Sequence, residues 1–299
     1  MIVFASALAE PEPYSRFAEP VIRLARESDS IVLAYSAVDS ISRSYNLLLE
    51  RASVIDHLEA LVLIEPHTEI IDSEFCAKIR AILADPAISA VGCLGARDFR
   101  GTAWWNGSVS GVNVDHVYRE FGGGLMPSLG TDTKVPAPGE VDSIDGMLMV
   151  LSPWAVANVR FDEELVFGHG YDIDYCYQLS DRGRKVVTAD LGIRQHRSID
   201  VISDHAVWVE AHIQISNKWA AATNDDDVNS ANWEQRARRA EAERDAAKVY
   251  AYSKALEVDA RVLELSRQLA EYTDTRSWRL TEPLRKANAR RNARRPSES

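Results

Sequence analysis

Three short clusters carry side chains able to do chemistry. Glu65-Pro66-His67 follows the apolar run Ala60–Ile64. A carboxylate and an imidazole two residues apart at a strand end can offer two ligands to one cation, and that mix suits Mn²⁺ or Zn²⁺ better than Mg²⁺. A strand-ending turn with solvated polar groups explains the same residues. His169-Gly170-Tyr171-Asp172-Ile173-Asp174 opens a helix-like stretch. Acids in a first turn complement the helix dipole, but Asp172 and Asp174 beside Gly170 and His169 exceed what capping requires. A carboxylate held by helix N–H groups is expected to stay ionised at neutral pH, as a general base must. Arg194-Gln195-His196-Arg197 follows the strand-like Lys185–Ala189. A histidine there can ligate a metal or touch a phosphate, and two flanking arginines favour phosphate; a structural histidine is the alternative. Asp142 and Asp145 form a weaker acidic pair near a sharp turn at Gly146.

The elements that must position these clusters alternate between apolar runs and helical patterns. Strands are expected at Ile2–Ala7, Ile31–Tyr35, Ala60–Ile64, Ile88–Leu94, Val141–Leu151 and Lys185–Ala189. Helices are expected at Tyr14–Ala25, Ser42–Ala52, Ser73–Leu83, from Pro153, at Tyr171–Arg182 and at Asp204–Trp219. Near-continuous apolar strands between helices imply a mainly parallel α/β sheet covered on both faces. Ligands of such sheets bind beyond the carboxyl ends of the strands, here after Ala7, Tyr35 and Ile64. No G-x-G-x-x-G, G-x-x-x-x-G-K-[ST] or G-x-S-x-G occurs, which excludes the dinucleotide fingerprint, the P-loop and the nucleophile elbow. Thr102–Glu140, with Trp104-Trp105, three consecutive glycines and three prolines, reads as an irregular insertion.

Composition separates a body from a tail. The net charge is −11 over 299 residues. From Trp233 to Ser299, 16 Lys and Arg face 11 Asp and Glu, whereas the preceding residues carry 18 against 34. The acidic body argues against broad nucleic-acid binding. Ala251, Ala255, Val258, Val262, Leu265, Leu269 and Tyr272 recur at alternating steps of four and three, an a/d seam on a helix that either forms a coiled-coil homodimer or packs on the body. The expected division is a body over 1–222, a polar linker over 223–232, a helical or coiled-coil extension over 233–284 and a basic disordered tail over 285–299. No run reaches the ~18 apolar residues of a membrane span, and the N-terminus lacks a basic leader region. Cys76, Cys93 and Cys176 are odd in number and widely spaced, as in a reducing cytoplasm. Six basic residues after Leu284, with Trp278, suit peripheral contact with an anionic inner membrane face.

The order of these stretches resembles the GT-A glycosyltransferases of the family 2-like kind over residues 1–220. The matching stretches are Ile2–Ser6, Tyr45-Asn46-Leu47, Ala60–Ile70, Trp104-Trp105, Gly139–Ser152, Arg160–Glu163, His169–Asp174 and His196. Ser277–Arg285 is similar to the S-W-R-[IL]-T-x-P-L-R element that ends bacterial surface-glycan glycosyltransferases. The resemblance implies a GT-A (Rossmann-like) mixed sheet, a nucleotide-sugar donor and a glycan or lipid-linked acceptor. It places Ala5, Ser6, Ala7, Ser36, Tyr45 and Asn46 near the donor's nucleoside, and Gly146 with Asp145 at the donor sugar or acceptor. Asp172 falls on the general base of inverting members, with Asp174 beside it. Glu65, His67 and His196 fall on the ligands of a divalent metal (Mn²⁺ or Mg²⁺), although relatives have Asp where His67 stands. Arg194, Arg197 or Lys185 would offset the diphosphate charge if no metal binds. A glycan- or nucleotide-binding module without turnover and a metal-dependent nucleotide-sugar hydrolase are the competing expectations.

Overall fold

A computed structural model describes residues 1–36, 39–111, 114–118, 124–127, 139–165, 168–196, 204–219, 228–275, 278 and 280–285. The chain opens with β1 (Ile2–Leu8), α1 (Pro11–Pro13), a π-helical turn over Tyr14–Ala18, α2 (Glu19–Ala25), β2 (Ile31–Ser36), α3 (Ile41–Ser53), β3 (Ala60–Ile64), β4 (Thr68–Ile70), α4 (Phe75–Leu83) and β5 (Ile88–Gly92). The middle holds β6 (Leu94–Arg97), a 3₁₀ turn at Trp104–Asn106, β7 (Ser108–Gly111), β8 (Val114–Tyr118), β9 (Gly124–Pro127), β10 (Glu140–Val141), β11 (Ser143–Ile144) and β12 (Leu148–Leu151). The last third is α5 (Pro153–Asn158), α6 (Tyr171–Asp181), β13 (Lys185–Thr188), β14 (Ile193–Gln195), α7 (His205–Lys218) and α8 (Val228–Thr273).

Among the described residues the central sheet has seven strands in the order β10-β13-β5-β12-β3-β1-β2. β1, β2, β3, β5 and β13 run one way; β12 and β10 run against them. This is the mixed, mainly parallel sheet with flanking helices that the sequence implied, extended by a C-terminal helix. Alternate strand residues enter two cores. Ile2, Phe4, Val62, Ile64, Val91 and Val150 face Ile22 of α2 and Phe75 and Ile79 of α4. Val3, Ala5, Leu61, Leu63, Ala90 and Leu151 face Leu48 and Leu49 of α3, Val156 of α5 and Leu179 of α6. Burial on both faces explains why the strands read as unbroken apolar runs. Smaller sheets, β11-β6-β7 and β4-β14-β8-β9, stand at the carboxyl side.

Three expectations change. Ile88–Leu94 splits into β5 and β6, and Val141–Leu151 into β10, β11 and β12, because its polar Asp142 and Asp145–Gly146 sit at changes of sheet. The Thr102–Glu140 insertion carries three strands among its described residues; its residues 112–113, 119–123 and 128–138 lie outside those described. α8 starts at Val228, inside the expected linker. Polar composition does not prevent a helix there, since packing on α7 supplies the stability that short-range propensity lacks. Ala242, Ala246 and Val249 of α8 pack with Ala103, Trp208 and Val209, and Arg239 pairs with Glu210 at 2.8 Å. Further along α8 the seam is exposed: Val262 at 56% and Leu269 at 60%. The basic residues after Arg285 lie outside the described residues. No helix among the described residues is long and apolar enough to cross a membrane.

Candidate active site

A cavity of about 140 Å³ opens where the carboxyl end of β3, the β11–β12 turn and the first turn of α6 meet. Glu65, Asp145, Gly146, His169 and Asp172 line it, with Thr102, Trp104, Trp105 and Trp208 forming its far wall. Two glycines make this approach feasible. Gly170, preceding α6, has φ of +80°, and a side chain there would meet Ile215 at 2.7 Å; only glycine takes this left-handed turn without strain. At Gly146 a Cβ would lie 2.3 Å from Tyr171 Oη, so the β11–β12 turn can touch α6 only without a side chain.

Those two contacts place Asp172. Its Oδ2 accepts from the Gly146 N–H at 2.9 Å and its Oδ1 from the Ile173 N–H at 2.9 Å. Both bonds favour the carboxylate, yet burial outweighs them and the nearby Asp145 adds repulsion, so the Asp172 carboxyl is pushed up to about 7. One donor is a helix-terminus N–H, as the sequence implied, and the other comes from the β11–β12 turn; the simple expectation of full ionisation at neutral pH is corrected by desolvation. Burial likewise raises the Tyr45 and Tyr171 phenols beneath the cavity. Asp145 Oδ1 accepts from the Met147 N–H at 2.8 Å, fixing the turn that carries it.

The other candidate residues divide sharply. Ser6 Oγ donates to the Ile64 carbonyl at 2.8 Å, joining the ends of β1 and β3, while Ala5 and Ala7 are buried under α3. Ser36 is exposed at the end of β2. Tyr45 packs against Phe161 and Tyr171, with ring centroids 5.2 and 5.7 Å away. Asn46 brackets the chain before α6: its Nδ2 donates to the Phe161 carbonyl at 2.9 Å and to Glu163 at 2.8 Å, and its Oδ1 accepts from the Phe161 N–H at 2.9 Å. Asp174 is fully buried and accepts from Trp219 Nε1 at 2.8 Å and Gln178 Nε2 at 2.9 Å, with Lys218 Nζ at 2.7 Å. It joins α6 to α7 and is not among the groups lining the cavity. Lys185 pairs with Glu140 at 3.3 Å on the sheet edge, and Arg197 lies outside the described residues.

The histidines come together at the ends of two strands. The His196 N–H donates to the His67 carbonyl at 2.8 Å, drawing β14 against the end of β3. Phe17 stacks on His196 at 4.1 Å and lies 6.3 Å from the His67 ring. His196 Nε2 is 2.9 Å from Glu69, and Glu65 accepts from Gln195 Nε2 at 3.1 Å. No three His, Cys, Asp or Glu side chains converge to hold a metal among the described residues. Glu65, His67 and His196 stand at the adjoining ends of β3 and β14. Arg194 shares the same face, 3.6 Å from Glu69, and its Nε is buried without a hydrogen-bond partner among the described residues. Trp208 and Gln195 were not singled out as site residues, because their roles come from contacts distant in sequence.

A family model described as a glycosyltransferase-like family matches residues 22–236, well over half of the chain and all of the cavity. The chain belongs to this glycosyltransferase-like family. The streptomycin biosynthesis protein StrF of Streptomyces griseus is 22% identical over 205 residues, spanning 66% of this chain and 67% of that protein. Among solved structures, mannosyltransferase PcManGT from Pyrobaculum calidifontis, in complex with GDP-Man and Mn²⁺, is 12% identical with a TM-score of 0.45, covering 93% of this chain and 81% of the other. GalNAc-T7 with UDP, GalNAc and Mn²⁺ is 11% identical with a TM-score of 0.46; 74% of this glycosyltransferase covers 48% of that chain, less than half its length.

Proposed function

We propose that this glycosyltransferase moves a sugar from a nucleoside-diphosphate sugar to a hydroxyl of a glycan or lipid-linked acceptor with inversion, Asp172 acting as general base. The observation that carries the reading is the Asp172 carboxyl, held by two backbone N–H groups at a cavity and pushed up to about 7. A base poised near the working pH both accepts a proton and exists in its ionised form. In the transfer, the acceptor O–H gives its proton to Asp172, the acceptor oxygen bonds the anomeric carbon, and the bond from that carbon to the diphosphate breaks. Asp145 and Gly146 border the reacting sugar. Arg194 offsets the charge that develops on the leaving diphosphate. A titration of thermal stability with UDP, GDP, dTDP and CDP, each with and without Mn²⁺ and Mg²⁺, tests the reading. A rise in Tm with one nucleotide is expected. No rise with any would return the body to a glycan-binding module.

The exposed half of α8 suits a second copy of the chain. The seam steps place Val262 at an a position and Leu265 at a d position, the pairing that favours two parallel strands. Lys254 and Asp259 then occupy g and e positions, so the two helices meet with opposite charges. Leu265→Asp is expected to convert a concentration-dependent dimer into a monomer in sedimentation experiments, with the melting of the body unchanged. Peripheral membrane contact through the basic tail is read by co-flotation with anionic liposomes, which should fail once residues 285–299 are deleted.

A further inference from the structure

A histidine on α7 holds the loop that carries Thr102 into the cavity wall. His212 is 1% exposed, and its ring lies over Gly101: a Cβ there would stand 2.5 Å from His212 Nε2 and 2.6 Å from Cε1. The next residue is tied to the same ring. The Thr102 N–H donates to His212 Nδ1 at 3.4 Å, and the Thr102 hydroxyl is 3.5 Å from that nitrogen. An accepting Nδ1 requires the neutral imidazole with its proton on Nε2. Burial favours that form and holds His212 below the usual imidazole range, with Arg244 assisting and Asp245 and Glu241 of α8 opposing.

Thr102 in turn covers the start of α6. A side chain at Gly170 would meet Thr102 Cγ2 at 3.0 Å and Ile215 Cγ1 at 2.7 Å, so the threonine methyl and Ile215 close over that turn together. Gly170 stands two residues before Asp172, and its carbonyl accepts from the Asp174 N–H at 2.9 Å. His212 and Ile215 are three apart on α7 and share one face of the helix. One end of that face seats Thr102 and the other seats Gly170. Thr102 and Gly170 border the cavity with Asp172, whereas His212 is not among the groups lining it. Any effect of His212 on the chemistry therefore passes through the turn it holds.

We infer that His212 is a positioning residue for sugar transfer: it seats the Gly101–Thr102 turn on Gly170 and so shields the first turn of α6, with Asp172, from water. The link to transfer rests on the reading of Asp172 as base; the shielding does not. His212→Phe keeps a ring but cannot accept from the Thr102 N–H. His212→Asn is smaller but returns an acceptor oxygen near the place of Nδ1. The first readout needs no turnover. Melting at pH 8 is compared with and without Asp172→Asn in three backgrounds: wild type, His212→Phe and His212→Asn. The gain in Tm from removing the buried carboxyl should shrink by about half with His212→Phe and return with His212→Asn. An equal gain in all three backgrounds overturns the positioning role, and so does no gain in any. The second readout is kinetic. His212→Phe should lower kcat about tenfold with KM for the nucleotide sugar within about twofold, and His212→Asn should recover kcat to within about threefold although it melts lower. A purely structural histidine predicts the opposite order, with activity following Tm, and that order overturns the role. Coupled melting without turnover in the wild type leaves the shielding by His212 standing and defeats the transfer reading; transfer with uncoupled melting does the reverse.

Discussion

Asp172→Asn is expected to lower kcat/KM for sugar transfer by about 10²–10⁴-fold, the range a positioned general base contributes. Nucleotide should still raise Tm as in the wild type, because the proposed base role sets Asp172 against the acceptor hydroxyl and not the nucleotide. The wild-type rate should rise with pH through about 7, where the carboxyl loses its proton, and that limb should vanish in the variant's residual activity. The same residue shapes stability. Its folded pKa lies above the ordinary value of ~3.9 for an unfolded chain. Between pH 4 and 7 the folded protein therefore holds a proton that the unfolded chain has released, and stability falls as pH rises through this window, by up to about 4 kcal/mol. An asparagine loses one backbone hydrogen bond, about 1 kcal/mol, but removes the buried charge. Asp172→Asn should thus melt above the wild type at pH 8, with the gap closing by pH 5. A variant that keeps full transfer activity would remove Asp172 from the base role; one that melts no higher at pH 8 would show the carboxylate to be solvated.

The sheet was legible because both of its faces are buried, so β1, β3 and β12 are written as continuous apolar runs that survive any choice of register. Asp172 was legible as a carboxylate at a helix start, and Gly170 as the turn before it. Its protonation was not, since N–H bonds and desolvation pull in opposite directions and only the three-dimensional surroundings decide between them. Spacing placed His67 and His196 at two strand ends and structure joined those ends, and Glu69, two residues beyond His67, takes the His196 imidazole. Ser6 and Asn46 carry a second role that the sequence did not show. Each lies where chemistry was expected, but a short polar side chain at a strand end or inside a helix is as able to satisfy backbone groups as to bind a ligand. The bonds to Ile64 and Phe161 use them that way. Trp208 reaches the site from α7, whose pattern showed only which residues were apolar.

Asp174→Ala should separate the two acids of the helix start, and its expected result is lost stability, not lost chemistry. Asp174 has no exposure, and it receives Trp219 Nε1, Gln178 Nε2 and Lys218 Nζ at 2.7 to 2.9 Å. Alanine leaves the indole N–H and the amide without their acceptor in the α6–α7 interface. Lys218 keeps Asp162, 2.5 Å away, which limits the damage, so a cost of about 3 kcal/mol is expected, at the low end for breaking a buried charged pair. A denaturant titration would read it as a lower midpoint at an unchanged slope. Activity per folded molecule at low temperature should stay within a few-fold of the wild type, because neither Asp172 nor the Gly146 turn depends on Lys218. The two neighbouring carboxylates then behave oppositely: Asp172→Asn yields a stable and inactive protein at pH 8, whereas Asp174→Ala yields a fragile and active one. An Asp174→Ala variant that melts like the wild type but has lost turnover would move the base from Asp172 to Asp174 and, with it, the acceptor to the α6–α7 side of the helix.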